Sequence, residues 1–205
     1  MSATAIETKI IKKAQKLFIQ KGFAETSMSD IAEALKINRP TLYYYFRTKE
    51  KLFDQVFGTI IHKSIEQINL ILSEEIPLSE RLSKIIDSYF DHFTKFPDLP
   101  MFVFREIQRN PAGLIKETYE SKIQELFKGV YELYTTYVKD KQLEGVSFTS
   151  FLMSFYSLLV SPFVFRKLLS SPYLTKDFNF TAHLKEWKNV MMLQLTSLLN
   201  LQPGD

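Results

Sequence analysis

Apolar residues recur at helical spacing along nearly the whole chain, and this periodicity confines it to all-α architectures. Ile6, Ile10, Ile11, Ala14, Leu17 and Phe18 line one stripe, with Lys9, Lys12, Lys13 and Lys16 on other faces. No segment alternates as a strand does over a useful length. Gly22 follows Lys21 as a C-terminal stop for this first helix. Ser27 and Asp30 have capping-box spacing, and Met28, Ile31, Ala32 and Leu35 supply the apolar face of a short second helix. After a break at Lys36 to Asn38, a third short helix is predicted over Pro40 to Phe46, with Leu42 and Phe46 facing inward. Pro40 suits a first helical turn and disfavours a helical Arg39. Two short helices around a three-residue turn match helix-turn-helix arithmetic.

A longer helix is predicted from Thr48, with Leu52, Phe53, Val56, Phe57, Ile60, Ile61, Ile68 and Leu72 on one broad face, ended by Pro77. Further helices follow at 79–96, 101–109, 112–139, 147–169 and 181–201, punctuated by Pro97, Pro100, Pro111, Gly145 and Pro172. The expected architecture is about nine helices. A three-helix head (1–50) carries a larger helical body (51–205), within the one or two domains that 205 residues allow.

Charge divides along the same line. Residues 1–51 hold ten Lys and Arg against five acids, a net of +5, whereas the remainder nets −2. A basic head on a slightly acidic body is the asymmetry expected when only the head meets a polyanion. The absence of cysteine excludes disulfides, thiolate zinc sites and a cysteine nucleophile. The first 13 residues lack the apolar core of a secretory signal, so a cytoplasmic location is expected. There is no Gly-rich phosphate loop, no H-E-x-x-H and no nucleophile elbow, so no enzyme is expected. His62, His92 and His183 lie far apart without clustered carboxylates, so neither a metal nor another cofactor is expected.

The stretch Thr26 to Phe53 resembles the DNA-binding domain of the TetR family of bacterial transcriptional regulators. The resemblance rests on the Ile31-Ala32 pair, on Thr41-Leu42-Tyr43 followed by Tyr44-Tyr45-Phe46, and on Thr48-Lys49-Glu50-Lys51-Leu52 opening the fourth helix. Where many members have Gly-Val-Ser before the recognition helix, this chain has Lys36, Ile37 and Asn38. The frequent Gly at position 40 is Pro, as in the tetracycline repressors.

The resemblance implies a homodimer that places each third helix in a major groove of a pseudo-palindromic operator. Thr26, Ser27, Tyr43, Tyr45 and Lys49 match positions that contact phosphates, and Arg39, Pro40, Thr41 and Tyr44 match positions near base edges. It also implies an effector cavity in the body, for which Phe90, Phe93, Met101, Phe102, Phe127, Tyr131, Phe155 and Tyr156 are the expected walls. Few charges fall on these faces, which favours a small hydrophobic effector. Phe148 to Phe165 is an uncharged run of 18 residues, which reaches the lower limit for a membrane span. The family instead implies that the last two helices form a dimer core, here through Phe151, Phe155, Leu158, Leu184, Trp187, Met191, Leu195 and Leu198. The reading is a DNA-binding repressor released by a small hydrophobic ligand. Two alternatives stand beside it: a DNA-binding regulator controlled by a protein partner or acting architecturally, and a membrane-attached or lipid-carrying helical protein.

Overall fold

The computed structural model of the chain describes residues 3–109, 124–132, 134–135, 146–173 and 177–199. The described residues form helices joined by short turns, and no strand occurs among them. They fall into two compact units, one of residues 1–64 with 101–120 and the other of 65–100 with 121–205.

The first unit begins with α1 (Ala3–Glu25), α2 (Met28–Leu35) and α3 (Arg39–Tyr45). Gly22 breaks α1 with φ 86° and ψ 171°, backbone that a Cβ would strain, and a last short turn follows before α2. The expected stop is therefore a kink. Ser27 caps α2 in a complete capping box: its hydroxyl accepts from Asp30 N at 3.1 Å while Asp30 accepts from Ser27 N at 2.9 Å. At the other end the Ile37 N–H reaches Ala32 O at 3.1 Å and the Lys36 N–H reaches Glu33 O at 2.9 Å, a Schellman closure.

That closure puts Lys36 in the left-handed region, at φ 56° and ψ 41°. Relief of this strain outweighs the extra unfolded-state freedom of glycine, so Lys36→Gly is expected to stabilise the protein by about 0.5–1 kcal/mol. A rise in the urea midpoint at unchanged slope would show it. A fall would mean that the lysine side chain contributes more than the strain removes.

Asn38 caps α3, its Oδ1 accepting from Thr41 N at 2.8 Å. The helix starts at Arg39, one residue earlier than Pro40 suggests. The cap holds the first turn, and proline in that turn gives up an N–H that has no intrahelical partner anyway. Leu42 and Phe46 are buried as expected and anchor α3 through one face.

α4 (Lys49–Leu72) is capped by Thr48, whose Oγ1 accepts from Lys51 N at 3.2 Å. It stops at Leu72, well before Pro77, which instead precedes the first turn of α5 (Leu78–Lys95). The division between the units falls within α4 and within α6 (Leu99–Arg109). Within the first unit Phe102 of α6 is wholly buried against Phe53 and Phe57, with centroids 5.8 and 5.9 Å away. Glu106, also buried, is neutralised by Arg109 Nε at 2.6 Å.

The second unit packs α5 against α7 (Phe148–Val164) and α9 (Phe180–Leu198), with a four-residue α8 (Arg166–Leu169) after α7. Residues 124–132 and 134–135 are helical, and the rest of the helix expected over 112–139 lies outside the described residues. Phe163 gathers Phe90, Phe93 and Phe180 at centroid distances of 5.7, 5.2 and 5.5 Å. Pro162 cannot donate to the Leu158 carbonyl one turn back, and the Trp187 indole N–H from α9 supplies that bond at 2.9 Å. Lys188 of α9 holds both carboxylate oxygens of Asp87 on α5 at 2.6 Å. Among the described residues no helix is long and apolar enough to cross a membrane.

Candidate nucleic-acid interface and ligand cavity

The outer edge of α3 is built by what its inner edge buries. With Leu42 and Phe46 locked inward, helical geometry turns Arg39, Pro40, Tyr43 and Tyr44 outward, and all four are exposed. Tyr44 is 82% exposed and makes an edge contact with Tyr45 at 5.3 Å, while Tyr45 itself is half-buried. Thr41 is half-buried, and its hydroxyl donates to Asn38 Oδ1 at 2.5 Å. These residues form one polar and aromatic ridge able to enter a groove of duplex DNA.

Thr26, expected at a phosphate, is 0% exposed, and its hydroxyl donates to Gly22 O at 2.8 Å. It closes the kinked end of α1. Lys49 is half-buried: its Nζ donates to Phe23 O at 3.0 Å and sits 4.2 Å from the centre of the Phe23 ring. A cation in the first turn of α4 opposes that helix dipole. Here it is explained by the carbonyl it satisfies at the end of α1. Arg109 also lies over Phe23, at 4.3 Å, so two cations share one ring.

Ser27 is exposed, but its backbone N–H and hydroxyl hold the Asp30 carboxyl below its ordinary value. Because the folded-state value is lowered, this contribution is complete above the unfolded carboxylate range and disappears as pH falls through the folded value. The stability gap between the parent protein and Asp30→Asn is therefore expected to narrow between pH 6 and pH 3. Urea melts at both pH values check this, and a constant gap would remove the capping carboxylate from the account.

In the second unit a cavity is bounded by Ile68 and Leu72 of α4, by Leu78, Leu82, Ile85 and Tyr89 of α5, and by Phe151, Leu152, Phe155 and Tyr156 of α7. Among the described residues Leu126, Phe127, Val130, Tyr134 and Leu199 also line it. Its interior leaves about 70 Å³ free, and about 710 Å³ counting the gaps between lining atoms and the open mouth. The interior as it stands suits a few waters, so a drug-sized occupant has to enlarge it by moving side chains.

Three of the eight expected walls, Phe127, Phe155 and Tyr156, line this cavity. Phe90 and Phe93 face Phe163 instead, Phe102 belongs with Met101 to the first unit, and Tyr131 is half exposed with its edge on Phe148. The register of α5 explains the difference. Leu78, Leu82, Ile85 and Tyr89 form one stripe, and Ile86, Phe90 and Phe93 form the neighbouring one. Tyr89, missed from sequence, was legible as the next member of the first stripe.

The residues expected at a dimer interface divide in the same way. Phe151, Phe155, Leu184, Met191 and Leu195 are buried inside the single chain, while Leu158, Trp187 and Leu198 are half-buried. The outward faces of α7 and α9 carry a shallow groove of Met153, Ser154, Ser157, Leu158, Leu193, Gln194, Ser197 and Leu198. Met153 is 59% and Leu193 72% exposed there. Each of these helices has two apolar faces, and the expected residues are drawn from both: Leu158 and Leu198 line the outward groove, while Phe151, Phe155, Leu184, Met191 and Leu195 lie on the inner side.

Residues 10–56 match the family described as bacterial regulatory proteins, tetR family. The HTH-type transcriptional regulator YhgD of Bacillus subtilis (strain 168), itself uncharacterized, is 24% identical over 137 residues, 67% of each chain. The fatty acid metabolism regulator protein of the same organism is 24% identical over 120 residues, 58% of this chain and 59% of its own. The crystal structure of PfmR, a TetR family transcriptional regulator from Thermus thermophilus, shares the fold at a TM-score of 0.66 and 16% identity, covering 90% of this chain and 97% of that one.

Proposed function

We propose that this chain, whose residues 10–56 match the tetR family of bacterial regulatory proteins, acts as a homodimeric repressor on an inverted-repeat operator, released when a small hydrophobic molecule enters the second-unit cavity. The observation that carries the reading is the ridge of α3: Arg39, Pro40, Tyr43 and Tyr44 stand exposed on a capped helix whose other face is wholly engaged. Arg39 offers the paired donors that guanine accepts, and Pro40 an apolar surface for a thymine methyl. Tyr43, Tyr45 and Ser27 hold phosphates. Thr26 and Lys49 serve by fixing the end of α1 against α2 and α4.

The outward groove of α7 and α9 is the dimer surface, because it presents large apolar side chains with small hydroxyls between them. Release works by population shift. An occupant that enlarges the cavity displaces the α4 residues lining it, Ile68 and Leu72, and the same helix opens at Lys49 beside the reading head. A coupling of about 3 kcal/mol weakens DNA binding roughly a hundredfold.

Selection of bound sequences from random duplex DNA, followed by titration of the winner at several salt concentrations, tests this reading. One inverted repeat is expected, with log affinity falling against log salt at a slope of about −0.9 per phosphate neutralised. Recovery of no enriched site overturns it. The alternative of a regulator without a small-molecule effector draws support from the small free interior, and it stands if no hydrophobic compound releases the selected operator.

A further inference from the structure

We infer that Thr41 is a specificity-determining residue whose hydroxyl reads DNA as an acceptor, selecting adenine or cytosine over thymine or guanine on the strand it faces. This rests on the reading of the α3 ridge as the edge that enters the major groove. The polarity of the hydroxyl is set by Asn38. The Thr41 N–H donates to Asn38 Oδ1 at 2.8 Å, and that bond settles which end of the amide is the oxygen. Thr41 Oγ1 lies 2.5 Å from the same Oδ1. A carboxamide oxygen has no proton, so the hydroxyl donates, and its single proton is spent inside the protein.

What Oγ1 has left to offer is lone pairs. Presenting a proton outward breaks the bond to Asn38, so the threonine is held as an acceptor in one rotamer. At about 100° per residue, Thr41 stands about 60° around the helix from exposed Tyr44, and so flanks the outward ridge. Asn38 is exposed as well, but its Oδ1 already accepts two bonds and leaves only the amide protons. That excludes the paired contact to adenine, which needs both amide atoms.

The consequence for sequence preference follows from the groove. Each base pair presents an amino donor on one strand and a carbonyl acceptor on the other: adenine N6 against thymine O4, or cytosine N4 against guanine O6. An acceptor-only hydroxyl gains a bond when adenine or cytosine stands on its strand. With thymine or guanine there, two acceptors face each other and both lose hydration without gaining a partner. The result is a two-letter preference at one position of each half-site, which a hydroxyl with a free proton would not impose.

The test uses the full-length protein and the operator recovered by selection from random duplexes. The parent, Thr41→Val, Thr41→Ser and Asn38→Ser are titrated on it and on its single-pair variants, each made in both half-sites. The parent is expected to bind adenine or cytosine at one position about tenfold more tightly than thymine or guanine. Thr41→Val, which keeps the shape and loses the oxygen, is expected to flatten that position and no other. A base lacking the amino group, purine for adenine or pyrimidinone for cytosine, is expected to cost the parent about tenfold there and Thr41→Val nothing further. Thr41→Ser keeps the hydroxyl and is expected to stay within about threefold of the parent at every pair. Asn38→Ser keeps a capping oxygen that carries its own proton, so Thr41 is free to donate, and thymine and guanine are expected to rise to within about threefold of adenine and cytosine.

An equal loss on every duplex in Thr41→Val overturns the inference and leaves the reading ridge standing, since it marks a phosphate contact. An unaltered profile in Thr41→Val or in Asn38→Ser also overturns it, as does a parent preference for thymine or guanine at the position that Thr41→Val flattens. Recovery of no enriched site removes the reading of the ridge together with the inference.

Discussion

Tyr44→Ala is expected to weaken binding to the selected operator on the order of a hundredfold, with unfolding unchanged. One base-edge contact contributes about 1–3 kcal/mol, and a two-fold dimer loses it twice. Folding is spared because Tyr44 is 82% exposed and its ring meets only the edge of Tyr45. The salt dependence separates the possible roles. A residue at a base edge leaves the slope of log affinity against log salt where it was, whereas a phosphate contact lowers it by about 1 per phosphate. Lys49→Ala is a poorer probe, since removing its ammonium strips the bond to Phe23 O and loosens the head itself. Parent-like operator affinity in Tyr44→Ala, measured by titration on the selected duplex, would take this side chain out of the reading surface.

Phe102→Ala is expected to lower the free energy of unfolding by about 3–5 kcal/mol, from a total that for most domains is about 5–15 kcal/mol. Phe102 is wholly buried, and its ring meets Phe53 at 61° and Phe57 at 60°. Truncation leaves a cavity against two aromatic rings on one rigid helix, where collapse is limited. Effector affinity, measured where the variant is still folded, is expected to remain close to that of the parent, because Phe102 does not line the second-unit cavity. Urea melts at constant slope give the first quantity. A loss under about 1 kcal/mol would contradict the packing of α6 on α4.

Local rules made the head legible. Capping at Ser27 and the inward pair Leu42 and Phe46 depend on neighbours within four residues, and the structure follows both, whereas Gly22, expected as a stop, bends α1 instead. The outward ridge of α3 follows from the same periodicity. Arg39 shows the limit of the local rules, since the backbone preference before proline gave way to the Asn38 cap.

The second unit was legible as helices but not as faces. Its helices carry apolar residues on more than one side, so periodicity states that a residue is buried without stating by what. Phe90 and Phe93, expected as cavity walls, are buried against Phe163, and Tyr89, one residue from Phe90, lines the cavity. Phe155 was assigned both to cavity and to dimer face, and within the chain it is at the cavity. Thr26 and Lys49 show the same limit at the head, because their partners Gly22 and Phe23 are backbone carbonyls exposed only by the kink in α1. The sequence by itself determined the all-α class, the helix-turn-helix and its outward edge, because these follow from spacing and capping along one segment. Which of two apolar stripes closes a cavity, and which cation meets which carbonyl, was decided only when distant segments packed, since those contacts depend on how whole helices rotate against one another.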